Sequence, residues 1–181
     1  MRIVRWVLVG VVALLLLVLG VGSLLPVSHV AARSVAVAAT PEALFALLID
    51  VEHYPQWREG VTATQRLPSV EGRTRFVEVS GRDSLTFEIL DATAPRRLVT
   101  RIVGEGLPFG GQWVFDVERQ GDGSRLTITE HGEVYSPLFR FVSRFVMGHT
   151  STIDGYLVSV VRHFGGSGAI EDAAPAPRAA P

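Results

Sequence analysis

The sequence predicts an α+β domain: a curved antiparallel sheet of about seven strands around a long C-terminal helix, plus an N-terminal transmembrane helix. Three observations predict it. Residues Ser136 to Phe164 carry one apolar stripe at helical spacing. Before them, strand-like segments follow one another with turns too short to hold crossover helices. At the other end, Trp6 to Leu25 is a run without a single charge.

That N-terminal run follows Arg2 and Arg5. A helix needs about 20 apolar residues to cross a bilayer, and this run has them. It has no polar face, which separates it from a buried core helix. It is longer than the usual signal-peptide core of about 7–15 residues, which points to a retained anchor. Val30-Ala31-Ala32 leaves a cleaved, secreted form as the alternative. The two arginines should stay cytoplasmic, so both readings place the remainder outside the cytoplasm. The expected organisation is a short cytoplasmic segment 1–5, an anchor 6–25, a linker 26–32, a domain 33–165 and a disordered tail 166–181.

Within the domain, Arg33 to Ala39 alternates as a first strand. Thr40-Pro41-Glu42 supplies an N-cap, a helix-starting proline and an acid at the positive helix end. Leu44, Phe45, Leu47, Leu48 and Val51 make the apolar face of a short helix, and a second short helix follows at Tyr54 to Arg58. Six strands come next: 61–67, 73–80, 84–91, 97–103, 112–119 and 125–135. Ser136 and Pro137 then start the long helix, expected to run about 40 Å at about 1.5 Å per residue. Gly148 and Gly155 lie within it and weaken it locally. Period-two alternation turns Trp113, Phe115 and Val117 toward the helix, with Leu85, Phe87 and Ile89 earlier and Leu126, Ile128, Glu130 and Val134 later. A bulge near Gly132 would reverse the residues beyond it.

Composition removes several classes of function. There is no cysteine, hence no disulfide and no thiolate nucleophile or metal ligand. Net charge is −1 and no basic run or aromatic-basic interleaving occurs, which argues against nucleic-acid binding. His29, His53, His131, His149 and His163 show no metal-ligand spacing and are expected in exposed or capping positions. Gly104 to Gly111 is glycine-rich but lacks dinucleotide spacing, so no cofactor is implied.

Three stretches resemble the START-like, or SRPBCC, superfamily with its helix-grip fold. They are Thr40 to Phe45 running into Asp50 to Trp57, Gly111 to Phe115 with Gly121 to Leu126, and Thr129 to Val134 leading into the helix. The superfamily includes polyketide cyclases and dehydrases, coenzyme-Q-binding proteins and lipid carriers. The resemblance implies a cavity between sheet and helix that takes an apolar or amphipathic ligand. The N-terminal membrane segment departs from the common soluble members.

On this reading Trp57, Phe87, Trp113 and Phe115 line the pocket, together with Phe145 and Tyr156, or else simply fill the core. Glu130, a carboxylate that the alternation turns inward, is the sharpest polar candidate. It would orient a ligand hydroxyl or act as a weak candidate acid or base, unless it is paired with an inward Arg75 or Arg101. Leu107, Pro108 and Phe109 form either a gate or a plain flexible loop. The expected function is membrane-anchored binding of a hydrophobic or lipid-like small molecule. The alternatives are a cyclase- or dehydratase-like enzyme using Glu130, and an interaction module whose cavity is filled by its own side chains.

Overall fold

Alternating apolar residues make each strand one-faced, and short turns force neighbours in sequence to pair in space. The computed structural model describes residues 2–166 and 168–180, with the backbone alone at Met147. It starts with helix α1 (Arg2–Leu24), followed by strand β1 (Ser28–Val37) and helix α2 (Pro41–Ile49). A 3₁₀ turn (Val51–Gln56) leads into β2 (Val61–Val70), β3 (Arg73–Ser80), β4 (Asp83–Thr93), β5 (Arg97–Val103), β6 (Phe109–Gln120) and β7 (Gly123–Val134). Then come α3 (Pro137–Val142), a π turn (Ser143–Met147), α4 (Ser151–His163) and β8 (Glu171–Asp172).

Eight strands form one sheet in the order β2-β3-β4-β5-β6-β7-β1-β8, and the pairs are antiparallel. Two register shifts in β2 and one between Ile89 and Asp91 of β4 interrupt the ladders. Such bulges bend and twist a sheet. Its inner face packs on α2 and α4 through Leu44, Leu48, Phe115, Leu126, Ile128 and Leu157, all buried. Thr40 caps α2 through its hydroxyl, which accepts from the Ala43 N–H at 3.3 Å.

Three expectations need correction. The long C-terminal helix is broken. Gly148 sits at φ 77°, in the left-handed region that favours glycine, and ends the π turn there. Only the 13 residues of α4 lie in the sheet's grip, about 20 Å of helix. α3 packs instead on α1, so closely that a Cβ at Gly22 would strike the Pro137 carbonyl oxygen.

The expected linker also proves ordered, because β1 begins at Ser28 and pairs with β7 from Ser28↔Glu133 to Val37↔Ser124.

The tail is ordered too. β8 pairs with β1, and beyond it the Gln112 side chain bonds both the N–H and the carbonyl of Ala179 at 3.1 Å. The Thr129 hydroxyl accepts from the Ala176 N–H at 3.0 Å. Gln112 and Thr129 are buried on the outer face with Val99 and Val114, so the tail covers an apolar patch. Its low content of large apolar residues does not prevent this, since it only has to lie on a face already built.

Candidate functional site

Curvature leaves a hollow of about 470 Å³ between the sheet and the helical layer. Its walls are largely apolar and aromatic, from Phe76 and Phe87 on β3 and β4 to Trp113 and Phe115 on β6 and Tyr156 on α4. One side is formed by α3 and the residues after it, with Phe139, Val142, Ser143 and His149. A void of this size and lining suits a small organic ligand.

Two clusters of ionisable side chains stand out in the walls, which also carry Ser80, Thr100, Glu133, Ser151 and Thr152. In the first, Arg58 pairs with Glu78, and both are largely buried. The guanidinium also lies 4.8 Å from the Tyr54 ring centre and 4.4 Å from that of Tyr156, a cation–π arrangement. The Tyr54 hydroxyl donates to the Leu48 carbonyl at 2.6 Å. Burial pushes the Tyr54 phenol up to about 12, against the opposing pull of Arg58. Burial also raises Tyr156, whose hydroxyl has no hydrogen-bond partner among the described residues.

The second cluster is built on β7, β1 and the residues between the π turn and α4. Glu130 follows the inward phase of Leu126 and Ile128, and β7 keeps that phase through Gly132 to Val134 without a bulge. Burial raises its carboxyl to about 7, with Trp113 pulling the other way. His29 Nε2 stands 3.8 Å from Glu130 Oε1, beyond hydrogen-bonding distance. Burial, with the nearby His149, lowers His29 to about 4, so its imidazole is neutral at pH 7 and the two do not form an ion pair. The His29 and His149 rings stack at 4.1 Å. Burial, then the charge of Arg144, lowers His149 as well. A half-protonated carboxyl can donate a hydrogen bond to a ligand carbonyl or accept one from a hydroxyl.

Phe87, Trp113, Phe115, Glu130 and Tyr156 thus come together around one void, and Phe109 joins them at its edge. Trp57 does not reach it. It lies behind the wall, edge-on to Tyr54 and Tyr156 at 5.4 and 5.5 Å. Phe145 also stands apart, 59% exposed and 4.9 Å from Phe141. In the loop before β6, Leu107 folds back over Gly104 and the Pro108 carbonyl accepts from the Tyr135 N–H at 2.9 Å. Arg75 and Arg101 do not face Glu130. They point outward with Arg73 and hold Glu88, at 2.9, 2.5 and 3.6 Å respectively.

His29 and His149 were expected in exposed or capping positions. Instead they stack on each other, partly buried, in the cavity wall, because one lies on a strand rather than in a linker and the other at the break between helices rather than within one. Gly132 carries the signal that could have found His29. The two are register partners, and a Cβ at Gly132 would collide with the His29 ring. Arg58 and Glu78 were legible in part, because Glu78 shares the inward phase of Phe76.

The architecture is that of START-like proteins. A START superfamily protein from Mycobacterium smegmatis matches at TM-score 0.61 with 17% identity, over 76% of this chain and 97% of that one. A STAR-related lipid transfer protein from Xanthomonas axonopodis matches at TM-score 0.50 with 17% identity, over 74% and 84%. A norcoclaurine synthase from Thalictrum matches at 0.60 with 12% identity, over 76% and 94%. Residues 28–153 match the model of the family described as polyketide cyclase / dehydrase and lipid transport, and the chain belongs to that family. No curated protein matches the sequence.

Proposed function

We propose that the protein binds a hydrophobic, lipid-like small molecule while tethered to a membrane by α1, with residues 1–5 cytoplasmic and the domain outside. The observation that carries this is the hollow, whose aromatic walls enclose about 470 Å³. Water at about 30 Å³ per molecule would fill it with roughly 15 molecules that an apolar ligand displaces. Support for the tether comes from α1, a helix of 23 residues, long and apolar enough to cross a membrane, whose side chains are almost all exposed. Arg2 and Arg5 support the orientation. The pocket in this reading is lined by Phe87, Trp113, Phe115 and Tyr156, with Glu130 addressing the ligand's polar end.

A pyrene-labelled fatty acid, added to the full chain in phosphatidylcholine nanodiscs, should quench tryptophan emission saturably. Leu85→Trp fills the hollow from β4 and should weaken uptake at least about tenfold, the scale of losing about 1.4 kcal/mol. Equal uptake by both chains would remove the hollow from the account.

The raised carboxyl of Glu130 favours one second reading, acid–base chemistry of the cyclase or dehydratase kind. Glu130→Gln separates the two. A carrier keeps most of its affinity, whereas acid–base turnover drops about 100-fold or more.

A further inference from the structure

α3 and the π turn join the two halves of the molecule. At the start of α3 the backbone of Pro137 rests on Gly22, so closely that any side chain at position 22 would strike the Pro137 carbonyl. Further along, the Arg140 guanidinium donates to the Leu25 carbonyl at 2.7 Å, where α1 ends. The segment is thus fixed at the level of the last turn of α1. Its inner side is the cavity wall, through Phe139, Val142 and Ser143.

Its outer side is apolar and uncovered. Leu138 is 42% exposed, Phe145 59% and Val146 72%, and Leu24 at the end of α1 is 89% exposed. The face is continuous with the helix that has the composition of a membrane span. Residues Pro137 to Met147 include Arg140 and Arg144 and no acid. A short apolar helix with cations at its border is the pattern of a segment lying in a lipid interface.

We infer that α3 and the π turn are seated in the same bilayer leaflet as the end of α1 and form the portal between that leaflet and the cavity. Ligand then passes from lipid to cavity beside Phe139 and Val142 without crossing water. The left-handed Gly148 and the π turn supply the break at which the segment can swing from α4. This rests on the tethered-carrier reading and relocates the expected gate, from Leu107 to Phe109, to the start of the C-terminal helices.

The chain has no cysteine, so single labels are clean. Phe145→Cys, Val146→Cys and, as a control on an exposed turn of the sheet, Asp122→Cys are each spin-labelled. The full chain is then placed in vesicles of phosphatidylcholine with phosphatidylglycerol. Labels at 145 and 146 should be reached by oxygen and shielded from a water-soluble nickel complex, with the reverse at 122. In a second arm, vesicles loaded with the pyrene-labelled fatty acid are mixed with tethered protein. Phe145→Ser with Val146→Ser, which leaves α1 intact, should slow uptake at least about tenfold at equal final amplitude. Labels open to the nickel complex overturn the portal, as do labels shielded from both reagents, which would mean a protein partner. Unchanged uptake rates also overturn it while leaving the carrier reading standing. Absence of uptake in every variant overturns the carrier reading, and the portal with it.

Discussion

Replacing Glu130 with Gln isolates the electrostatic cost of building the hollow. In the unfolded chain this carboxyl ionises near 4.5, and in the fold burial moves that to about 7. Between those values the folded chain binds more protons, so the group's contribution to stability falls as pH rises. Above about pH 7 the cost levels off at up to about 3 kcal/mol, reckoned at about 1.4 kcal/mol per pKa unit. His29 runs in the opposite sense. Its ordinary 6.5 drops to about 4 in the fold, so stability rises with pH across that window. His149 is lowered too and adds to the rise. Trp113 faces the same carboxyl and does not titrate. In the parent chain the opposing slopes offset each other over much of the acid range. The difference between Glu130→Gln and parent cancels the shared background. It should be near zero below pH 4.5, climb through pH 5–7 and reach about 2–3 kcal/mol in favour of Gln at pH 8. Urea titration of the full chain in mild detergent, read by near-UV circular dichroism at several pH values, measures it. A difference that stays flat from pH 4.5 to 8 would refute the assigned burial of this carboxyl.

Two further outcomes follow from the outer face of the sheet. Ending the chain after Gly166 uncovers Val99 and Val114 and leaves Gln112 and Thr129 without their tail partners; thermal unfolding should show a loss of about 2–4 kcal/mol, and an unchanged midpoint would mean the tail contributes nothing. Burial pushes Glu88 up, but bonds from Arg75 and Arg101 outweigh it and hold it below the usual carboxylate range. Its contribution is therefore present at neutral pH and lost as pH falls through that lowered value. Glu88→Gln should cost about 2 kcal/mol at pH 7 and less in acid, by the same urea titration, and a pH-independent cost would contradict the sign.

Much of the fold was readable because period-two alternation and short turns leave few ways to pair six strands. The inward phase of β7 located Glu130, and β6 located Trp113 and Phe115, since alternation alone fixes a face. Helical periodicity was a poorer guide at the C-terminus. Phe141 and Phe145 continue the apolar stripe of α4, yet the stripe does not reveal whether its partner is the sheet or another helix. A single glycine in the left-handed region decided that, and backbone angles at Gly148 are not written in hydropathy. His29 stayed hidden because strand β1 extends into a segment that looks like spacer, and pairing with β7 gives it a face. The tail was misjudged for a related reason: its order comes from Gln112, Thr129 and β1, all remote in sequence.

The claim beneath all of this is that the hollow holds a guest. Native mass spectrometry of the full chain, released from mild detergent, tests it most directly. The account predicts one small, solvent-extractable hydrophobic molecule per chain, absent from Leu85→Trp prepared in the same way. A bare parent chain that also stays bare after incubation with membrane lipid extract would contradict it.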